Sequence, residues 1–216
     1  MNLNIAYKNY SSWSLRPWIL MKEFDIPFTE TLLPFAHTDA LSDFSSDNGV
    51  PALVPMLESE GMVIWDSLAI MEYLAECYTD KPLWPTDAKL RAMARSAAFE
   101  MHSGFSSLRS QFPMNCRSVK VVEPSEKTKK DLSRLAEIWS FFTNQEKSSG
   151  EFLCGDFSIL DAMYAPVMWR VTGYGLFVSD EFSSWSKAMR ALPAMEEWYQ
   201  DSLKEEWTIP ETDNVV

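Results

Sequence analysis

The sequence predicts a small α/β domain followed by an all-helical domain. Up to about residue 78, apolar residues follow strand and helix periods in turn. From about residue 88 onwards they recur only at the helical spacing of 3.6 residues. Residues 79–87 contain two prolines and several polar residues, a composition typical of a linker. We therefore expect domains at residues 1–78 and 88–216, joined by residues 79–87.

The first domain is expected to contain a β-α-β unit, an extended stretch and then a β-β-α unit. Alternating apolar residues predict strands at 3–7, 28–33, 52–58 and 62–65, and helical spacing predicts helices at 15–24 and 68–75. Asp66 and Ser67 immediately precede the second of these helices. Acidic and hydroxyl side chains are favoured at that position because they accept hydrogen bonds from free N–H groups.

Four helices are expected in the second domain. The apolar pattern predicts one long helix over 90–108, a second over 132–142, a third from Ser158 and a fourth over 186–203. The third helix opens on Ser158 and Asp161, a variant of the capping box, to which we assign a folding role only. The fourth helix should break or restart at Pro193, because proline removes a helix hydrogen bond.

The charge and apolar pattern exclude several classes of partner. The chain has 19 Lys and Arg against 31 Asp and Glu, a net charge of −12, whereas nucleic-acid-binding proteins carry a basic surface. Its apolar runs are shorter than the roughly 20 residues that span a bilayer. The first residues show no basic leader followed by an apolar stretch. We therefore expect a cytoplasmic protein that binds neither nucleic acid nor membrane.

Side chains for several kinds of catalytic site are scarce. The three cysteines, Cys77, Cys116 and Cys154, form no Cys-x-x-Cys pair, so neither a disulfide framework nor a zinc site is expected. The two histidines, His37 and His102, offer little material for a Ser-His-Asp triad. The glycine-rich motifs that bind phosphate groups are missing from the sequence. We expect no metal and no nucleotide cofactor.

A serine-rich turn lies where the first strand ends and the first helix begins. Residues 10–16 read YSSWSLR, and Pro17 follows near the helix start. Serine hydroxyls at this position can cap the helix. The same position can stabilise an anion such as a thiolate, because free N–H groups and the helix dipole favour negative charge there. The residues alone leave both roles open.

Two further motifs also have a structural and a functional interpretation. Val50 and Pro51 precede a predicted strand, where the proline is either an ordinary trans residue or a cis one. Asp66 and Ser67 either cap the following helix or bind an α-amino-carboxylate. In the second case the carboxylate would contact the N–H groups and Ser67, and the ammonium would contact Asp66.

In their order and separation, these motifs resemble the cytosolic glutathione S-transferase superfamily over essentially the whole chain. The resemblance rests on the serine turn, Val50–Pro51, Asp66–Ser67, the linker and residues 155–162, which read GDFSILDA. The Ser-Ser-Trp turn with Arg16 is most similar to the serine-type, zeta-like bacterial branch. The resemblance implies a thioredoxin-like domain that binds glutathione and an all-helical domain that forms the wall of the co-substrate site.

The resemblance also implies where the thiol end of glutathione binds. Ser11 best matches the serine that activates the thiol in this family, and Ser12 is a close rival. Val50 would pair its backbone with the cysteinyl part of glutathione. It precedes Pro51, a position that is a cis-proline in the family.

The other end of glutathione and the co-substrate are assigned in the same way. Asp66 and Ser67 match the acidic-serine pair at the γ-glutamyl end of glutathione. His37 lies where relatives often have a polar glutathione contact, although a solvated loop residue is an equally good interpretation. The co-substrate residues that we expect are Trp13, His102, Phe105 and Arg109. Arg109 could attract an anionic substrate or be an ordinary surface arginine.

The function implied by the resemblance is a homodimeric glutathione transferase that stabilises the glutathione thiolate for attack on a hydrophobic electrophile. Glutathione would be a co-substrate. Trp13 stands where the zeta class has the cysteine of its Ser-Ser-Cys turn. A glutathione-dependent cis-trans isomerase of the maleylacetoacetate isomerase type is therefore an alternative. A non-catalytic protein is another: a carrier of glutathione or apolar ligands, or a stress-related interaction protein that keeps only the fold.

Overall fold

A computed structural model describes residues 1–34 and 39–215. Four strands form one mixed sheet in the order β2-β1-β3-β4. They are β1 (Asn2–Ile5), β2 (Thr29–Leu32), β3 (Met56–Ser59) and β4 (Met62–Ile64). Strand β1 is parallel to β2 and antiparallel to β3, and β3 is antiparallel to β4. Parallel strands need a crossover connection, which α1 (Ser12–Glu23) provides.

The sheet and two helices share one apolar core, as predicted for the first domain. Helix α1 packs against α3 (Ser67–Cys77), and α3 also contacts β3. The buried residues of this core include Leu3 and Leu57 from the sheet, Leu15 from α1 and Leu74 from α3. Burial of these side chains is the main free-energy gain that holds the domain together.

The predicted extended stretch is wrong, because the structure has a helix there, α2 (Ala40–Asn48). None of its residues is buried, and it ends at Gly49, whose φ of 66° lies in the left-handed region. Its sequence is rich in serine and aspartate, and its three apolar residues, Ala40, Leu41 and Phe44, are only partly buried against the sheet. Apolar periodicity therefore could not reveal it.

The predicted all-helical second half is confirmed. Its helices in the described residues are α4 (Ala88–Ser103), α5 (Ser106–Gln111), α6 (Glu126–Thr143), α7 (Ile159–Gly173), α8 (Asp180–Ala191), α9 (Pro193–Lys204) and α10 (Pro210–Asp213). Residues 78–87 lie between α3 and α4 without regular structure of either kind. None of the described helices combines the length and apolar character that a membrane span requires.

The single helix predicted over 90–108 is wrong, because it breaks at Gly104 and Phe105. Phe105 has a φ of 56°, and its side chain is buried edge-on against Tyr164. The backbone N–H of Leu108 in the new helix α5 donates to Asp131 of α6. The break therefore buries an aromatic ring and gives α5 a cap from a neighbouring helix.

The break predicted at Pro193 is present, because α8 ends at Ala191 and α9 begins at Pro193. Helix α8 starts earlier than predicted, at Asp180. Ser179 is its N-cap, and the Ser179 hydroxyl accepts the N–H of Phe182 at 3.1 Å. This cap fixes a helix start that apolar spacing alone had placed six residues later.

Helix α7 lies at the centre of the molecule. All of its residues from Ile159 to Val171 are buried, and it packs against both α1 and α4. Its side chain Asp161 completes the predicted capping box by accepting the backbone N–H of Ser158 at 3.0 Å. The same carboxylate accepts the N–H of Leu153 and the indole N–H of Trp185. Burial raises the pKa of Asp161 to about 6, and these donors oppose that rise.

Replacing Asp161 tests whether this residue has a folding role. Asp161→Ala removes the acceptor of four buried hydrogen bonds, so we expect the free energy of unfolding to fall by about 3 kcal/mol. Urea denaturation followed by circular dichroism measures this change. The control is Asp156→Ala, because Asp156 is an exposed neighbour and should change stability by no more than about 0.5 kcal/mol. Equal effects of the two substitutions would contradict the role.

Candidate active site

The serine turn forms the start of helix α1, as predicted. Ser11 is the N-cap residue, and its Oγ accepts the N–H of Ser14 at 3.4 Å. The Oγ atoms of Ser11 and Ser14 lie 2.7 Å apart and share a hydrogen bond. The Ser14 Oγ also accepts the N–H of Ala6, at the end of β1. The Ser11 hydroxyl thus belongs to a hydrogen-bond network that connects the end of β1 to the start of α1.

Ser12 has a different partner, because its side chain contacts the second half of the chain. Its Oγ accepts a hydrogen bond from Nη2 of Arg170 on α7 at 3.2 Å. Nη1 of Arg170 donates to the carbonyls of Arg109 and Phe112. Both Ser12 and Arg170 are buried. The structure therefore brings a cation that the sequence analysis did not single out to the serine turn.

Trp13 lies among further cationic side chains. The guanidinium carbons of Arg16 and Arg109 are 4.4 and 4.8 Å from the centre of its ring. The ring of His102 meets Trp13 edge-on, with 5.2 Å between the ring centres. Trp13, His102 and Arg109 are partly exposed. The structure therefore brings three of the four predicted co-substrate residues together at a surface that solvent reaches.

Phe105, the fourth predicted co-substrate residue, is not in that group. Its side chain is only 6% exposed and packs on Tyr164 in the core. The expectation that it lines a cleft is wrong for a physical reason. The positive φ of Phe105 turns its side chain inward where α4 gives way to α5.

Three guanidinium groups in this region, those of Arg16, Arg109 and Arg170, carry charge without a matching acid. In the ranges 1–34 and 39–215, none of them forms an ion pair with a carboxylate. Burial lowers the pKa of Arg16 to about 9 and that of Arg170 to about 10, so both stay charged at neutral pH. Repulsion by the charge of Arg109 is a smaller contribution to both of these lowered pKa values. Buried charges of this kind are normally paired, so this region favours an anionic ligand.

Asp66 and Ser67 lie at the start of α3, on the other side of Arg16. Oδ1 of Asp66 accepts the N–H groups of Leu68 and Ala69, which makes Asp66 the N-cap. Its Oδ2 is 3.0 Å from Nε2 of His102. The hydroxyl of Ser67 is buried and lies 3.5 Å from Nη1 of Arg16. Asp66 therefore caps α3, and its carboxylate is still partly exposed at the surface.

The expected cis-proline was placed at the wrong Val-Pro pair. The cis bond is Val54–Pro55, whereas Val50–Pro51 is trans. Strand β3 pairs with β1 from Met56 onwards, so the strand begins directly after Pro55. The Val50 backbone is already used at the end of α2, where its N–H donates to Ser45 and its carbonyl accepts the Ser45 hydroxyl.

Val54 has the properties that were expected of Val50. It is buried beside the sheet and precedes the cis bond. Among the described residues its backbone N–H and carbonyl make no backbone hydrogen bond. They are therefore available to an extended ligand that lies beside the chain just before β3 begins. The expected glutathione contact at His37 falls outside the described residues.

The residues missed by sequence analysis are Val54, Pro55, Arg170 and, as a site residue, Arg16. One signal was visible for Arg170, because it is the only basic residue in the run 159–171, which is apolar apart from Asp161 and Tyr164. Such a residue has to be satisfied by something outside its own helix. No group of three or more metal-binding side chains occurs in the part of the chain that the structure describes.

Comparison with known proteins adds independent findings. The family model for the glutathione S-transferase N-terminal domain matches residues 10–77. A stringent starvation protein A homolog from Haemophilus ducreyi is 29% identical over 158 residues, which cover 73% of this chain and 69% of the relative. A probable maleylacetoacetate isomerase from Caenorhabditis elegans is 34% identical over 103 residues, 47% of this chain and 46% of the relative. The chain thus spans about two thirds and about half of these two relatives.

A solved structure extends the likeness to the whole fold. A glutathione transferase homolog from Burkholderia, crystallised with bound glutathione, superposes with a TM-score of 0.72 at 19% identity. The superposition covers 94% of this chain and 98% of that one. The fold predicted from the motifs is therefore confirmed over both halves of the chain.

Proposed function

We propose that the protein binds glutathione and activates its thiol. The premise is that residues 10–77 match the glutathione S-transferase N-terminal domain and that the whole chain has the glutathione transferase fold. The proposal is carried by one observation. The serine turn and the Asp66–Ser67 pair border a group of three guanidiniums that form no ion pair among the described residues. Glutathione, an anionic tripeptide with one ammonium group, complements that arrangement.

The γ-glutamyl end is assigned to the start of α3. Its carboxylate would accept hydrogen bonds from the Ser67 hydroxyl and the α3 N-terminus, with the positive charge of Arg16 behind. Its ammonium would pair with the Asp66 carboxylate, which is 42% exposed. The cysteinyl backbone would pair with Val54. This places the thiol toward the serine turn, where Ser11 and Ser12 are the candidate residues that contact sulfur.

The reaction that we propose is transfer of glutathione to a hydrophobic electrophile. The partly exposed ring of Trp13, with His102 and Arg109 beside it, would form one wall of the electrophile site. The chain would contribute a stabilised thiolate and the alignment of two reactants. A role in detoxification is consistent with such a broad apolar wall.

A second candidate is glutathione-dependent isomerisation of an unsaturated diketo acid. Arg109 favours it, because this guanidinium is partly exposed and has no carboxylate partner among the described residues. One relative is named as a probable maleylacetoacetate isomerase. A non-catalytic role is the remaining alternative, and it predicts glutathione binding without turnover of either substrate.

We further propose a cytoplasmic homodimer. The described cysteines are all free thiols, as is usual in a reducing compartment. Met93 and Phe99 on α4 and Phe141 on α6 expose much of their apolar surface, and Met93 and Phe141 line one shallow pocket. A second copy of the chain would cover this surface and lower its exposure to water.

The charge on Asp66 should contribute to glutathione affinity. Asp66→Asn keeps an oxygen that can cap α3 but removes the charge that pairs with the ammonium. We expect the glutathione Kd to rise about 10-fold, or about 1.4 kcal/mol, in isothermal titration calorimetry. Asp87→Asn is the matched control, because Asp87 caps α4 by accepting the N–H of Leu90. An unchanged Kd for Asp66→Asn would move the γ-glutamyl end elsewhere.

Arg109 distinguishes the two catalytic candidates. For an anionic unsaturated diketo acid, Arg109→Met should lower kcat/KM about 10-fold or more, because a charge-assisted hydrogen bond is lost. Conjugation of a neutral chloronitrobenzene should change by about 2-fold or less. Lys89→Met, at an exposed position, removes the same charge as a control. Equal losses on both substrates would show that Arg109 acts on glutathione or on folding.

A charge introduced into the proposed interface tests whether the protein is a dimer. Phe99 is 57% exposed, and Phe99→Glu would bury a carboxylate in the interface. We expect light scattering after gel filtration to give twice the 24.8 kDa chain mass for the parent protein and the single chain mass for Phe99→Glu. Phe177→Glu is the control, since Phe177 is 67% exposed on another segment. A monomeric parent protein would contradict the proposal.

A further inference from the structure

The contact between Arg170 and Ser12 joins the two halves of the chain at the serine turn. Nη2 of Arg170 donates to the Ser12 Oγ at 3.2 Å. Ser12 is the first residue of α1, and its hydroxyl hydrogen has no acceptor among the described residues. A hydroxyl that accepts from a guanidinium is a stronger donor for its own hydrogen, because the two hydrogen bonds polarise each other.

The Arg170 guanidinium is not explained by packing alone. It is 5% exposed, and its Nε lacks a hydrogen-bond partner in the described part of the chain. Two of its contacts are neutral carbonyls and the third is a neutral hydroxyl. A methionine would fill similar space without the cost of a buried charge. The charge therefore calls for an anion that the free protein does not itself supply.

We propose that Arg170 stabilises the glutathione thiolate, acting through the hydroxyl of Ser12. This inference rests on the proposed function, because it assigns the residues that act on the bound thiol. Ser12 would contact the sulfur, and Arg170 would be a positioning residue that holds and polarises Ser12. The charge that activates the thiol would thus come from the all-helical half.

The step itself is a single ionisation. The S–H bond of glutathione breaks, its proton passes to solvent, and both bonding electrons stay on sulfur. The Ser12 O–H then donates to the thiolate while its oxygen continues to accept from Arg170. At neutral pH Arg170 is charged, because burial lowers its pKa only to about 10. A cation and a donor near the sulfur both favour the thiolate.

Ser12 is better placed than Ser11 for this contact. The Ser11 hydroxyl already accepts the N–H of Ser14 and shares a second hydrogen bond with the Ser14 hydroxyl. Both bonds join Ser11 to Ser14, whose hydroxyl also accepts the N–H of Ala6 after β1. The Ser11 hydrogen can reach a sulfur only when the Ser14 hydroxyl is the donor in the shared bond. Ser12 needs no rearrangement, since its one observed bond leaves its hydrogen available.

Other ionisable groups face this contact and belong in the interpretation of any pH profile. The charge of Arg109 lowers the pKa of both Arg16 and Arg170, and Tyr174 raises the pKa of Arg170. Further charged or titratable groups on the surrounding elements are Asp66, His102, Tyr164 and Glu100, and Glu100 raises the pKa of Tyr164. Burial raises the pKa of Tyr164 and Tyr174 above the usual tyrosine value, so both stay neutral near pH 7.

The test measures the pKa of the thiol of bound glutathione rather than turnover. Glutathione affinity is first measured by calorimetry, and the thiolate absorbance of the saturated complex near 240 nm is then followed against pH. For Arg170→Met we expect the thiol pKa to rise by about 1 unit, a tenfold loss of thiolate at a given pH below it. The Kd for glutathione should change by about 3-fold or less.

Companion variants separate this role from a structural one. Arg170→Lys keeps the charge and should restore most of the shift. Ser12→Ala should raise the thiol pKa as Arg170→Met does, and the double variant should show no further rise, because the two residues act in series. Ser11→Ala should leave the thiol pKa unchanged. Lys89→Met controls for the loss of one positive charge at a distance.

The outcomes separate the inference from the proposed function. If the parent protein binds glutathione and Ser12→Ala or Arg170→Met keeps the parental thiol pKa, the inference is wrong and glutathione binding stands. A shift with Ser11→Ala but not with Ser12→Ala would likewise overturn it. Failure of the parent protein to bind glutathione would overturn the proposed function itself. If Arg170→Met does not fold, Arg170→Lys and Ser12→Ala still decide the question.

Discussion

The complete burial of helix α7 is the constraint on which the rest of the structure depends. A helix that is apolar on every side has to be surrounded, and α7 packs against α1 of the first half and α4 of the second. Nε of Arg16 on α1 donates to the carbonyl of Met163 on α7, so the halves are also joined by hydrogen bonds. The serine turn at the start of α1 therefore contacts α7, a helix of the other half. Its geometry is a property of the interface between the halves.

The two charged side chains of α7, Asp161 and Arg170, have different kinds of hydrogen-bond partner. Asp161 accepts hydrogen bonds from four donors that all belong to the helical half. Its charge is balanced locally, and its role is to hold α7 to α8 and to the preceding loop. Arg170 contacts neutral acceptors only, so its charge remains uncompensated. In the proposed complex, the anionic ligand supplies the negative charge that Arg170 lacks. Its binding would then stabilise the folded state.

The parts of the fold that sequence predicted are those in which burial follows a regular period. The helix around Leu135 shows that period, and the capping box at Ser158 marks the start of α7 by hydrogen bonding. Helix α2 was missed because it has few apolar residues and none of them is fully buried. The break at Phe105 was missed because phenylalanine has no intrinsic preference for a positive φ. The cis-proline was misplaced because two Val-Pro pairs lie four residues apart. Only strand pairing between β1 and β3 identifies the second pair as the one beside the sheet.

The arginines also resolve an apparent conflict between the acidic chain and an anionic ligand. A net charge of −12 opposes a negative ligand at long range, but at physiological ionic strength charges are screened over about 8 Å. At the serine turn, the charges of Arg16, Arg109 and Arg170 and the dipole of α1 all contribute positive potential. The guanidiniums of Arg16 and Arg170 are buried, where solvent screens them less than it screens the exposed acids. A chain that repels anions over most of its surface can therefore still favour the proposed thiolate at the buried junction where α1 meets α7.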